Sequence, residues 1–76
     1  MERYKNLGGD SGVIAYELGQ GEITVQFADG PYRNYVYDSI KPGAATVAEL
    51  RRLAVAGRGL NSYITRFVRA NYSRRY

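Results

Sequence analysis

Residues 41–76 carry Lys41, Arg51, Arg52, Arg58, Arg66, Arg69, Arg74 and Arg75 against the single carboxylate Glu49, a net charge of +7. Residues 1–40 carry Arg3, Lys5 and Arg33 against Glu2, Asp10, Glu17, Glu22, Asp29 and Asp38, a net of −3, so the chain as a whole is +4. The basic half also holds Tyr63, Phe67, Tyr72 and Tyr76. A planar guanidinium grips phosphate through paired N–H donors, and an aromatic ring stacks on a base. Arginine set among aromatics therefore has the chemistry of a nucleic-acid surface. The same residues suit a protein interface, where Tyr and Arg are enriched.

Bond-making chemistry is poorly supplied. There is no His and no Cys, so the usual general base near neutral pH and the usual strong nucleophile are both missing. The carboxylates are scattered through turns and strand edges without the spacing of a catalytic pair. The expectation is a non-enzymatic protein with no cofactor and no metal site, and thiolate ligation and disulfides are excluded outright. A cysteine-free chain suits the cytoplasm. No apolar run approaches the length of a membrane span, and Met1-Glu2-Arg3-Tyr4-Lys5 opens no signal peptide.

The elements that must present these side chains read as one domain of 76 residues. With no disulfide, its stability rests on one small apolar core, roughly 3–5 kcal/mol at this size. Residues 1–12, with the run Gly8-Gly9-Asp10-Ser11-Gly12, read as a flexible lead-in. Val13 to Leu18 is apolar enough for a first strand, and Gly19-Gln20-Gly21 turns the chain. Glu22 to Phe27 alternates strictly, with Ile23, Val25 and Phe27 on one face, the period of a half-buried strand. Asp29-Gly30 supplies the next turn, and Tyr32 to Tyr37 forms a third strand. Pro42-Gly43 marks a loop. Thr46 three residues before Glu49 reads as a capping box opening a helix, with Val47, Leu50, Leu53 and Ala54 inward and Gly57 as its stop. A second helix is expected from Asn61 or Ser62 to about Asn71, capped by those residues. Leu60, Ile64, Phe67 and Val68 would face inward, and Ser62, Arg66, Arg69 and Ser73 outward. The fold expected is α+β, a three-stranded antiparallel meander followed by two helices, β-β-β-α-α, over residues 13–72. Its core would contain Ile14, Val25, Phe27, Leu50, Leu53, Ile64 and Phe67. Residues 73–76 form a basic tail, either ordered or frayed.

This layout resembles the KTSC domain, a small domain at the C-terminus of some lysyl-tRNA synthetases that also occurs as free-standing bacterial proteins. The residues that carry the resemblance are Tyr16, the strand Ile23, Val25, Phe27 with Gly30, the motif Tyr35-Val36-Tyr37, the pair Gly57 and Gly59, and Asn61, Ile64 and Tyr72. It spans roughly residues 13–72. The resemblance implies the α+β fold, and it adds the RNA binding that has been suggested for that family.

Two readings of the tyrosines stay open. Tyr35 and Tyr37 share a strand face and either pack beneath a helix or offer a stacking platform. Tyr32 points the other way and suits an exposed ring. Arg51 and Arg52 fit a solvated helix face, with Arg52 beside Glu49 at i,i+3. Arg66 and Arg69 have no carboxylate within a turn, and a run of unpaired cations repels itself unless a partner uses it. Gly57-Arg58-Gly59 lacks the full phosphate-loop pattern and reads as a helix stop and hinge. The function expected is a nucleic-acid-binding module, RNA favoured. Arg58, Arg66, Arg69, Arg74 and Arg75 would neutralise phosphates, and Tyr32 and Tyr63 would stack on bases. The alternative is a protein–protein interaction module or a homo-oligomer, in which Tyr and Arg would serve as anchors.

Overall fold

The computed structural model describes residues 1–9 and 11–76. Strands β1 (Glu2–Arg3), β2 (Val13–Gly19), β3 (Glu22–Phe27), β4 (Asn34–Asp38) and β5 (Arg74–Arg75) form one antiparallel sheet in chain order. Helices α1 (Ala44–Ala56) and α2 (Leu60–Tyr63) lie between β4 and β5, and α2 runs on into a π-helical turn, Ile64–Val68. The class is α+β, but the expected three-stranded meander is only the middle of the sheet. The segments expected as lead-in and tail each add an edge strand, β1 and β5. Asp10, inside the expected glycine-rich lead-in, lies outside the described residues.

Alternation on β3 sets one face. Ile23 lies opposite Tyr37, and Val25 lies between Tyr16 and Tyr35. Paired residues share a face, so these side chains all turn toward the helices. Tyr16, Ile23, Val25 and Tyr37 join Val47, Leu50, Ala54, Leu60, Ile64 and Val68 in one core cluster, with Phe27, Tyr35 and Leu53 packed at its margin. Ile14, expected in the core, is instead 38% exposed. A bulge between Val13 and Ala15 is the reason. It inserts one extra residue, so Val13 and Tyr16 both point inward and Ile14 is left out.

α1 is held by a clamp that its sequence disguises. Arg51, expected on a solvated face, donates from Nη1 to the carbonyl oxygens of Gly19 and Glu22 at 2.6 and 3.1 Å. It ties the helix to the turn between β2 and β3. Arg52 does lie in solvent, and its Nε donates to Glu49 Oε1 at 2.9 Å. This pair replaces the expected capping box. The helix starts two residues earlier than Thr46, at Ala44, after Gly43 with φ 117°, and no side chain caps it. At its other end Gly57 closes α1 in the left-handed conformation, as its position foretold.

Asn61 and Ser62 do not cap α2 either. The helix begins at Leu60 behind Gly59, again without a side-chain cap of its own. The first free N–H of a helix still needs an acceptor, and the Leu60 N–H finds the Tyr4 hydroxyl at 3.3 Å. Tyr4 is only 4% exposed. A core residue therefore comes from the segment expected to be flexible. The π-helical turn then corrects the second helix's face. Leu60, Ile64 and Val68 are buried at intervals of four, while Phe67, expected inside, is 70% exposed. A π turn is wider than an α turn. It keeps i+4 residues in line and swings i+3 outward, which puts Phe67 in solvent. Among the described residues no helix is long and apolar enough to cross a membrane.

The loop from β4 to α1 is organised by Asp38. Its Oδ1 accepts from the backbone N–H groups of Lys41 and Ile40 at 2.9 and 3.0 Å. The Lys41 bond, then one from Ser73, holds its carboxyl below the ordinary pKa. Glu49 is lowered in the same direction by the hydrogen bond from Arg52.

Two outcomes follow from these contacts. Arg51→Gln should lower stability by about 1–3 kcal/mol in urea unfolding, because it removes charged donors from two carbonyls. Arg52→Gln should stay within about 0.5 kcal/mol. Equal losses would mean that the clamp is not made. The second outcome concerns acid. A carboxylate whose folded pKa is depressed contributes stability that is present above its unfolded pKa and lost as pH falls through the folded value. The urea midpoint should drop below about pH 4, and Asp38→Asn should make that drop shallower. A superimposable profile for the variant would show that Asp38 does not hold the loop.

Candidate nucleic-acid interface

The pairing of β4 with β5 brings the two halves of the sequence together. Tyr35 lies opposite Arg75, and Val36 opposite Arg74. Arg75 therefore projects on the helix side of the sheet and Arg74 on the other side. Beside Arg75 a chain of rings runs across the sheet end. Phe27 meets Tyr35 edge to face at 5.3 Å, and Tyr35 meets Tyr72 edge to face at 5.1 Å. Edge-to-face rings at this spacing attract through their quadrupoles. The Arg75 guanidinium closes the series. It sits 4.3 Å from the centre of the Tyr32 ring and 5.4 Å from that of Tyr72. Cation–π attraction at such distances fixes a long side chain that would otherwise sweep through solvent.

These residues form one wall of an open groove of about 700 Å³. Phe27, Tyr35, Tyr37 and Tyr72 line it on the sheet side, and Asn61, Ile64 and Thr65 on the helix side. Arg69, Arg75 and Asp29 bring charge to it. Tyr37 lies deepest, and burial pushes its hydroxyl pKa well above the usual tyrosine range. It stays a neutral donor at any ordinary pH. The two readings of the tyrosine pair therefore divide. Tyr37 is a core residue with its flank on the groove, while Tyr35 is half-buried and belongs to both.

Arg69 reaches this groove through an unusual backbone. It follows the π turn with φ 53° and ψ −123°. That conformation suits glycine and is costly for a residue with a Cβ. It reverses the chain so that residues 70–73 can return to the sheet, where the Ser73 N–H donates to the Val36 carbonyl at 2.7 Å. The expected stripe of Arg66 and Arg69 is thereby broken. Arg66 stays on the outer side with its guanidinium 5.8 Å from the exposed Phe67 ring, and Arg69 turns to the groove.

The other expected residues scatter. Arg74 lies on the helix-free sheet face, 5.5 Å from the Tyr76 ring. Arg58 lines a separate cleft with Tyr4, Asn6 and Ser11. Tyr63 is half-buried against the core, 5.1 Å from the Phe67 ring, and not an open stacking surface. Tyr32 is 43% exposed, yet one side of its ring is taken by Arg75. Of the expected set, Arg69, Arg75 and Tyr32 come together. Tyr35, left open as core or stacking surface, joins them, and Asp29 and Tyr72 are companions that the residues alone did not reveal, because the β4–β5 pairing joins segments far apart in the chain. An aromatic two residues before a basic pair, Tyr72 before Arg74-Arg75, was the available hint. No protein-family model, curated protein or solved structure matches the chain.

Strain at Arg69 has a measurable side. Arg69→Gly should raise stability by about 1 kcal/mol in urea unfolding, since glycine accepts the positive φ freely and the strain removed exceeds the entropy added to the unfolded chain. A destabilised glycine variant would mean that Arg69 contacts hold the turn.

Proposed function

We propose that this chain is a small KTSC-like module that binds single-stranded nucleic acid, RNA in preference to duplex DNA. The observation that carries the reading is the clustering of Arg69 and Arg75 with Tyr35 and Tyr72 at one groove, with Tyr32 held against Arg75. Single strands expose the faces of their bases, which rings can stack on, and their phosphates attract guanidinium groups. Duplex DNA calls for an element that enters the major groove and reads base edges. Here the second helix is short and π-helical in its second half, and its outer face offers Arg66 and Phe67 but no row of base-reading amides. Arg66, Arg58 and Arg74 add long-range attraction from other sides of the molecule.

A protein partner is the second reading, and Phe67 favours it. An aromatic ring 70% exposed beside Tyr63 and Arg66 has the makeup of an interface anchor.

Titration with a generic single-stranded RNA at several salt concentrations separates the two. With two to four phosphate contacts, log K against log salt should slope at about −1.4 to −3. Arg69→Gln with Arg75→Gln should weaken binding and flatten that slope by roughly 0.7 per lost contact. Arg52→Gln serves as the control, since Arg51 is structural. No binding at low salt to RNA, single-stranded DNA or duplex DNA would sink the nucleic-acid reading. Loss of a protein partner in Phe67→Ser would then promote the other.

A further inference from the structure

We infer that the groove is a pocket for one nucleotide unit, a ribonucleoside 5′-monophosphate, and not only a stretch of a surface along which a strand lies. The inference rests on the single-strand reading for its ligand class and adds where one base, one sugar and one phosphate go. The groove's volume of about 700 Å³ falls within the range of small-ligand pockets.

The charges on its lining argue for a ligand with two different ends. Arg69 and Arg75 present two guanidinium groups, and Asp29 presents one carboxylate. Among the described residues the salt bridge formed is Arg52 with Glu49, so neither groove arginine is neutralised by Asp29. An inorganic phosphate would satisfy the arginines but face repulsion from Asp29. A nucleoside monophosphate offers phosphate oxygens to Arg69 and Arg75 and hydroxyl donors on its ribose to a carboxylate. Its base then lies against Tyr35 and Tyr72, which meet edge to face and both line the groove. Asn61 and Thr65, on the opposite wall, carry the uncharged donors and acceptors that a base edge can use.

Backbone strain at Arg69 supports the same assignment. Its φ of 53° with ψ −123° is a position where glycine would fold at less cost, and such strain tends to gather at binding sites. That backbone places Arg69 in the lining of the groove.

The experiment uses the intact chain labelled with ¹⁵N and follows backbone amide shifts during titration with adenosine 5′-monophosphate, its 2′-deoxy analogue and inorganic phosphate. Adenosine monophosphate should give saturable shifts confined to residues around the groove, those of Asp29, Tyr35, Thr65, Ala70 and Tyr72 among them. Inorganic phosphate should bind at least about tenfold more weakly, and the deoxy analogue should fall between them. Arg75→Gln should weaken the monophosphate about tenfold or more. Arg69→Gly should do the same in a protein that is no less stable, which removes misfolding as the explanation. Asp29→Asn should weaken the monophosphate while strengthening inorganic phosphate, a reversal that a general change in charge would not give. If RNA oligomers bind but the monophosphate moves no groove residue, the pocket is wrong and the strand reading stands. If the monophosphate saturates the groove and oligomers do not bind, the pocket stands and the strand reading falls. Equal binding of phosphate and monophosphate would also overturn the inference, because the rings and Asp29 would then contribute nothing.

Discussion

The register between β3 and β4 is the constraint on which the rest depends. Ile23 faces Tyr37 and Val25 faces Tyr35 across that ladder. A slip of β4 by one residue would turn Tyr35 and Tyr37 to the opposite face and bring Val36 inward. With the register in place, Ile23, Val25 and Tyr37 are almost wholly buried beneath Leu50 and Leu60. Nothing covalent holds so small a domain, so this two-strand seam and the helices seated on it must carry its stability.

The same register decides where the chemistry lies. Because Tyr35 turns toward the helix side, its partner on β5, Arg75, must do so too. Tyr72 is then drawn against Tyr35, and Arg75 is left between Tyr72 and Tyr32. The floor of the groove is thus an extension of the core, since Phe27, Tyr35 and Tyr72 pack against the core and line the groove. A rigid aromatic floor lowers the ordering cost of any ligand that lies on it. The reversed backbone at Arg69 supplies the far wall.

Much of the fold was legible in the residues. The alternation at Ile23, Val25 and Phe27, the turn at Asp29-Gly30, the inward stripe of α1 and the stop at Gly57 all follow local rules that tertiary contacts reinforce. What was hidden was what only packing can specify. The bulge at Ile14 leaves no periodic trace, since one inserted residue looks like ordinary noise in a short strand. The π turn is invisible to a reading that assumes α-helical spacing, and it misplaced both Phe67 and Arg69. Two-residue strands such as β1 and β5 are too short for any period, so Tyr4 and Arg75 looked like parts of loose ends. The caps failed for a related reason, because Tyr4, far away in sequence, takes the free N–H of α2. Of the groove, the cations were visible as types, but the grouping that joins Asp29 and Tyr32 to Tyr72 and Arg75 exists only once β5 pairs.

Those two short strands also govern how the molecule meets other copies of itself. β2 and β4, seven and five residues long, would each show a row of unpaired N–H and C=O groups if they bordered the sheet. Such rows are templates for sheet-to-sheet association. Here the outer positions go to Glu2-Arg3 and Arg74-Arg75, two residues apiece and all charged. The borders are therefore brief and electrostatically guarded. Loss of either one would lengthen the uncovered edge of β2 or β4 and favour association through it.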